Sequence, residues 1–458
     1  MDDARIRNLE CQDIAPLMLR YCVPTILATT INATYNAVDR IFVGRVCGEN
    51  ALAAITVCFS PAMLLLAVAM TFGQGGATLL SIRLGQKDYR AASRVFGQAT
   101  VLFFALYFAA LAVMSLFMRD ILSFFGATEN IIDDAQAYYS IIIAGLIFEK
   151  ISFGLNNMIR AEGRPAYAMS TMLIGALANI VLDYVFLVEF NMGVRGAAYA
   201  TVLAQAAGSV WVLCFYLSGR SCLKFSAADF RVHRGLFGEM CAAGSPSFIM
   251  QIFAALGISL YVKQACEYGA EPAITVVGIA MAITTFMFLP IVGLAMGMQP
   301  IVGYNWGAGN IARVRRTFVC GIVFATAVCV AAFIFGEVFA REIYALFLGR
   351  GSELAATGAG VLRILILCYP LIGVNIVTSG FFQSTKRPFY SIVVTVMRQG
   401  VFLIPLMYAL PKFWGVDGLW WSFPISDFSA FAITVFFIVF VVYGRGSAEG
   451  LKFFSKKS

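Results

Sequence analysis

Twelve long apolar stretches are the feature that most constrains how this chain folds. Each holds about 20 residues or more, enough for an α-helix to cross the roughly 30 Å hydrocarbon core of a bilayer. Helices satisfy their own backbone hydrogen bonds in lipid, and the continuous apolar pattern excludes a membrane β-barrel. The predicted spans are residues 15–46, 51–82, 95–118, 135–159, 165–188, 197–217, 241–262, 273–302, 317–340, 360–382, 389–410 and 419–442.

The composition indicates the same class. Hydrophobic types make up 60% of the 458 residues and charged types 13%, whereas soluble chains contain about 25% charged residues. A soluble multidomain enzyme, a disordered protein and a coiled coil are therefore excluded, and an all-α polytopic membrane protein is predicted. The sequence contains neither a GxxxxGK[ST] phosphate loop nor an HExxH zinc motif, so we predict that it is not an enzyme.

Basic residues lie unequally on the two sides of the spans. Of 33 Lys and Arg, 22 lie in the N-terminal segment, the loops on its side and the tail, a group that includes Arg160. The opposite loops hold 8 and the spans hold 3. Because Lys and Arg collect in cytoplasmic loops, this bias predicts a multi-pass protein of the inner (plasma) membrane with both termini in the cytoplasm. The net charge of +8 is thus a topology signal, and no nucleic-acid partner is expected.

The two halves of the chain repeat each other. A shift of 222 residues aligns them without a gap over a long stretch, and it pairs Pro24 with Pro246, Gly75 with Gly297, and Gly85 with Gly307. We predict a six-helix lobe over 1–218, a cytoplasmic linker over 219–236, and a second six-helix lobe over 237–458. Transporters commonly use parallel repeats of this kind, with the transport path between the halves.

Polar residues follow one face of the first predicted helix, at offsets 0, 4, 7, 11 and 14: Thr25, Thr29, Asn32, Asn36 and Asp39. The fifth helix carries Asn179 and Asp183 at spacing i, i+4, and the sixth carries Thr201 and Gln205 at the same spacing. Charged groups inside a bilayer are expensive and mark functional sites, although interhelical bonding explains such pairs too.

These groups predict a cation site in the first lobe. Asp39, Asn179, Asp183 and Thr201 offer carboxylate, amide and hydroxyl oxygens, which suit a hard cation such as Na⁺. Two carboxyl groups in a low-dielectric site also suit a proton, and the sequence leaves both ions open. The second repeat has Tyr261, Phe402 and Leu406 at the matching positions, so the site is expected in the first lobe alone.

Other embedded groups have two readings, transport or an ion pair that locks helices. They are Glu149 and Lys150 in the fourth span and Arg363, Arg398, Gln399 and Asp427 in the second half. Met- and Phe-rich stretches suit adaptable apolar binding, although lipid-facing packing explains most of them. The predicted substrate path consists of Asn36, Gln205, Met287, Arg398 and Asp427.

The sequence resembles the multidrug and toxic compound extrusion (MATE) family over nearly its whole length, and looks nearest to the bacterial branch that includes MepA and the DinF-like proteins. The resemblance rests on the Asn-x-x-x-Asp pair of helix five and on two stretches, Asn-Ala-Val-Asp-Arg-Ile-Phe-Val-Gly at 36–44 and Gln-Pro-Ile-Val-Gly-Tyr-Asn-Trp-Gly at 299–307. It implies twelve helices in two lobes. It also implies cation-site roles for Asp39, Asn179, Asp183 and Thr201, with Asn32 nearby.

The function predicted on this basis is export of cationic or amphipathic small molecules by antiport with H⁺ or Na⁺, through alternating access. No cofactor is expected beyond the coupling ion, and no metal beyond Na⁺. The expected partners are small amphipathic or cationic molecules and membrane lipid, and we predict a monomer. The alternative is a lipid-linked saccharide flippase of related architecture, which would favour a more cationic cleft.

Overall fold

The computed structural model describes residues 4–349 and 352–442, without the side chains of 4–7, 49, 50, 52 and 269–274. These residues form helices and loops, with no strand among them. The helices are α1 Ala4–Cys11, α2 Ile14–Val46, α3 Glu49–Gly85, α4 Tyr89–Phe124, α5 Ile132–Ala161, α6 Pro165–Glu189, α7 Gly193–Leu217, α8 Arg234–Tyr268, α9 Thr275–Gly307, α10 Ile311–Leu348, α11 Glu353–Ile366, α12 Tyr369–Ser384, α13 Pro388–Trp414 and α14 Val416–Val442.

The prediction of a polytopic helical membrane protein is confirmed. Within the described ranges, eleven helices are long and apolar enough to cross a membrane, and α11 and α12, bent by 44° relative to each other, count as a twelfth when the pair is taken as one span. The helices run past the predicted spans at several ends, for example Ile311–Leu348 where 317–340 was expected. The apolar stretch of the sequence indicates only the part of a helix that lies in hydrocarbon. The helix itself continues into the polar interface, because its backbone hydrogen bonds form there too.

Helices α2 to α7 form the first lobe and α8 to α14 the second. The linker between them contains a short 3₁₀ turn, Ala227–Phe230, and helix α8 begins at Arg234, inside the predicted linker. We call the side of the bundle that carries this linker the linker face. The chain ends, which the charge bias places in the cytoplasm, lie outside the described residues.

The lobes meet backbone to backbone in the half of the bundle nearest the linker face. A methyl group on Gly75 would overlap the backbone of α8 at Met240 and Gly244, and one on Gly297 would overlap α2 at Cys22. The shift that relates Gly75 to Gly297 also relates Cys22 to Gly244. The two contacts are therefore the same contact repeated, as expected for lobes related by an internal twofold axis.

A second pair of contacts follows the same rule. Gly85 lies against the backbone of Tyr304, and Gly307 lies against the backbone of Ile82. The same shift of 222 turns one pair into the other. Only glycine lets two helices approach this closely in a membrane, where packing replaces the hydrophobic effect as the force between helices. The glycines therefore close the lobes on the linker side.

Glu162 anchors the linker to the first lobe. This side chain follows the last residue of α5, is 2% exposed, and accepts hydrogen bonds from the Ser221 hydroxyl (2.7 Å) and the Cys222 N–H (2.9 Å). Burial raises the pKa of Glu162 to about 7, because it penalises the charged form more than these donors favour it. The linker attachment is therefore sensitive to pH near neutrality.

We predict that Gly85→Leu opens the lobes on the linker side, because the added side chain meets the Tyr304 backbone. In a background that keeps Cys22 as the only cysteine, a polar maleimide should label this buried thiol at least about fivefold faster, as expected when the closed state loses about 1 kcal/mol. Gly238→Leu is the control, since that position faces open space. Equal labelling of the two variants would contradict the role of Gly85.

Glu162 should make stability depend on pH in one direction. Its folded-state pKa of about 7 exceeds the ordinary value of 4.5, so the folded protein holds the proton more tightly than the unfolded chain. This contribution is present below about pH 4.5 and is lost as pH rises through 7. We expect the Tm of the wild type to fall over this interval relative to that of Glu162→Gln, and parallel pH profiles would refute the assignment.

Candidate functional site

Asp39 and Asp183 meet in the interior of the first lobe. The Asp39 carboxyl group, on α2, lies close enough to that of Asp183, on α6, for a hydrogen bond between them. Asp183 is fully buried, and apart from this contact neither of its carboxyl oxygens has a hydrogen-bond partner in the described part of the chain. Two carboxylates bond to each other only through a shared proton or an intervening cation, which fits the cation site that the sequence predicts here.

Asn179 extends the polar site by one helical turn. It is 1% exposed, and neither its amide nitrogen nor its amide oxygen has a partner among the residues described. Buried polar groups without partners are rare and mark a place where an ion, water or ligand binds. Asn179 and Asp183 lie on one face of α6 because the helix is regular up to Asp183, and it becomes π-helical over Tyr184–Glu189.

A cavity of about 40 Å³ lies beside Asn179 inside the first lobe. Four of the predicted site residues line it, namely Asn32, Asn179, Thr201 and Gln205. Small residues on two helices, Gly175, Ala176 and Ala204, leave the space open. The structure thus brings together the five predicted cation-site residues: two carboxyl groups in contact and three polar side chains around the adjoining cavity.

The predicted polar face of α2 divides between the two lobes. Thr25 is buried and donates to its own helix at the Tyr21 carbonyl, while Thr29 donates to the Leu289 carbonyl of α9 (3.3 Å). Farther along, Asn32 turns into the cavity, and Asn36 is exposed and donates to the Asn32 carbonyl (2.6 Å). This polar face is wide enough to contact helices of both lobes. The spacing of residues along one helix does not reveal which helix each residue contacts.

The remaining substrate-path candidates lie elsewhere. Met287 packs in the second lobe, where its side chain faces Gly336. Arg398 donates to Asp427 at 2.7 Å, and both side chains are largely buried. These three residues are therefore in the other lobe from the carboxyl pair, and two of them bind each other.

The other embedded charges are paired too. Lys150, 1% exposed, donates to Glu149 at 2.9 Å, and Arg363 contacts Glu337 at 3.5 Å near the lobe surface. Lys150 and Arg398 both lie in π-helical stretches, Lys150–Leu155 and Met397–Leu403. Such π-helical turns occur often at functional sites and carry no signal in hydrophobic periodicity.

A layer of glutamines joins the lobes, and the sequence did not single it out. The Gln74 amide of α3 donates to Gln299 of α9 (2.6 Å), which donates to Gln383 of α12 (2.9 Å). Gln383 in turn donates to the Ala243 carbonyl and the Ser247 hydroxyl of α8. The sequence signal that could have identified this layer is a glutamine inside a predicted span, because an amide group in lipid needs a hydrogen-bond partner.

Known proteins resemble this chain in sequence and in structure. The MatE family description matches residues 24–185 and again 246–409. The multidrug export protein MepA of Staphylococcus aureus (strain MSSA476) is 24% identical over 451 residues, which cover 97% of this chain and 98% of MepA. The MepA of Staphylococcus haemolyticus is also 24% identical, over 97% of this chain and 96% of its own length.

Solved structures share the fold over almost the entire chain. The MATE multidrug transporter DinF-BH is 33% identical over 93% of this chain and 95% of its own, with a TM-score of 0.86. An outward-facing MATE family transporter of the MOP superfamily has a TM-score of 0.90 at 24% identity, over 99% of both chains.

The two family matches begin 222 residues apart, the shift that also relates the glycine contacts of the two lobes. Together they cover well over half of the chain. The protein therefore belongs to the MATE family of membrane transporters.

Proposed function

We propose that this protein exports small amphipathic or cationic compounds across the cell membrane in exchange for a cation held by Asp39 and Asp183. The observation that carries the proposal is the contact of the buried Asp183 carboxyl group with that of Asp39 beside Asn179, whose amide has no partner among the described residues. The relatives named as multidrug export proteins and transporters support the same cargo class. The linker face and both termini are cytoplasmic in this proposal, and the transporter acts as a monomer.

The geometry favours a proton as the coupling ion. The Asp39 and Asp183 carboxyl groups are within hydrogen-bonding reach of each other, and a bond between two such acceptors requires one proton. Na⁺ would instead need several oxygens arranged around one point, with the negative charges kept apart by the ion. Asp39 is part-exposed whereas Asp183 is fully buried, so the proton reaches the pair through Asp39.

Transport follows if proton and cargo favour different arrangements of the lobes. The lobes are closed at the linker face by the glycine contacts, which is the arrangement that releases cargo to the outside. Loss of the proton leaves net negative charge in the first lobe, which attracts cationic cargo from the cytoplasm when the lobes open there. If the bound proton weakens cargo binding, thermodynamic linkage requires that bound cargo weakens proton binding by the same factor.

The flippase alternative loses the support of the basic residues that the sequence places inside the spans. These residues are Lys150, Arg363 and Arg398. Each contacts a carboxylate, at 2.9, 3.5 and 2.7 Å respectively. A cation that already has a carboxylate partner is a poor binder of a second anion, most of all where the partner is buried, as Asp427 is.

We predict that Asp39→Asn and Asp183→Asn each reduce gradient-driven dye export to near the level of protein-free liposomes. Each variant replaces one carboxyl group of the pair by an amide, which cannot take up or release a proton. Dye transport in proteoliposomes is measured with a pH gradient and a Na⁺ gradient imposed separately. Asp133→Asn, an exposed aspartate in the first turn of α5, is the matched control and should transport normally.

Two results would contradict this assignment. Export by both variants at the wild-type rate would remove the carboxyl pair from the mechanism. Export driven by the Na⁺ gradient alone would replace the proton by Na⁺ at the same site. Adding dye to the wild type in weak buffer should also release a proton, and Asp183→Asn should release none.

The Arg398–Asp427 pair should act as a structural lock in the second lobe. Arg398→Met alone leaves a buried carboxylate without its counter-ion, which costs about 3–5 kcal/mol. The double variant Arg398→Met/Asp427→Leu should recover most of that loss and keep dye export. Unfolding by denaturing detergent measures the difference, and a double variant that is stable but cannot transport would assign the pair to the transport path.

A further inference from the structure

A small cavity lies between the lobes at the glutamine layer, separate from the carboxyl pair. Its walls include Thr78 of α3, Asn157 and Arg160 of α5, and Gln299 of α9, so both lobes contribute. The charge count assigned Arg160 to a loop, but the structure places it at the end of α5 with 8% of its surface exposed. A buried guanidinium thus faces the lobe interface.

Arg160 lacks the counter-ion that such a group needs. Lys150, Arg363 and Arg398 each contact a carboxylate, whereas the ion pairs and hydrogen bonds of the described residues include none to the Arg160 guanidinium. The residues lining the cavity include no aspartate or glutamate. An unpaired charge in this setting costs several kcal/mol unless something neutralises it.

The other polar groups of the cavity offer hydrogen-bond donors. Asn157 is 3% exposed and Thr78 is 3% exposed, and neither the Asn157 amide group nor the Thr78 hydroxyl has a partner in the part of the chain described. The Gln74 and Gln299 amide groups are already used in the glutamine layer. The free donors of Arg160, Asn157 and Thr78 surround a space that carries net positive charge.

The second repeat provides an internal comparison. The shift of 223 that pairs Arg164-Pro165 with Arg387-Pro388 pairs Arg160 with Gln383. Gln383 is neutral, and its amide is satisfied by Ala243, Ser247 and Gln299. One position of the repeat therefore holds a neutral group with partners, and the other holds a charge without any among the described residues. Packing at the lobe interface alone does not require the charge.

We propose that this cavity binds one monatomic anion, chloride, held by Arg160, Asn157 and Thr78. The cavity leaves about 10 Å³ for the centre of a water-sized guest, which suits one small ion better than the larger phosphate or sulfate. Because the walls come from both lobes, the anion binds the arrangement that is closed at the linker face and stabilises it. This site does not depend on the identity of the cargo or of the coupling ion.

The test measures chloride binding to the full-length protein in detergent. Thermal unfolding is followed by tryptophan fluorescence while sodium chloride replaces sodium gluconate at constant total salt. We expect a saturable rise in Tm with chloride, as for any ligand that binds the folded state. Bromide should act in the same way, and its anomalous diffraction signal should lie beside Arg160.

Arg160→Gln, which copies the residue of the second repeat, should abolish the chloride-specific rise. Arg160→Lys keeps the charge but loses the forked donor, and it should weaken chloride binding about tenfold. Arg363→Gln removes an arginine that is half exposed on the lobe surface and should leave the rise unchanged. The lysine variant decides the question if the glutamine variant does not fold.

Two outcomes would overturn the proposal. An equal chloride effect in the wild type and in the Arg160 variants would place the anion elsewhere. A wild type that responds identically to chloride and gluconate would show that the cavity holds water alone.

Discussion

The direct backbone contact between the two lobes is the constraint on which the rest of the structure depends. Glycines on α3 and α9 bring the helix backbones together near the linker face, and the repeat makes each contact twice. Contacts of this kind are all-or-none, because a packed interface separates as a unit rather than by small degrees. They set where the lobes close, and so they place the glutamine layer and the Arg160 cavity between the lobes.

The first lobe places two carboxyl groups and an amide side by side in its interior. Asp39, Asp183 and Asn179 lack partners other than one another among the described residues, while the embedded charges of the second lobe form ion pairs. In lipid, a polar side chain without a partner raises the free energy of the protein unless a ligand completes it. This difference between the embedded carboxyl groups of the two repeats is the reason why we propose the first lobe as the site of the coupling ion.

Much of the site followed from sequence because a membrane makes polar residues rare. Within a long apolar run, Asp183 and Asn179 stand out at once, and their i, i+4 spacing places both on one face of α6. The predictions for Met287, Arg398 and Asp427 were less informative, since the sequence does not say whether an embedded side chain faces the transport path or a neighbouring helix. Gln74, Asn157 and Arg160 were missed because they matter through partners that come from other helices.

The sequence by itself determined the helical class, the number of spans and the twofold repeat, because the thickness of the bilayer and backbone hydrogen bonding leave few alternatives. Tertiary structure alone decided that Asp39 meets Asp183, that Arg398 meets Asp427, and that Arg160 faces the lobe interface. These contacts join different helices, and their distances depend on helix tilt and on the π-helical turns beside Asp183, Lys150 and Arg398. The periodicity of residues along one helix indicates neither the tilt of that helix nor the position of a π-helical turn.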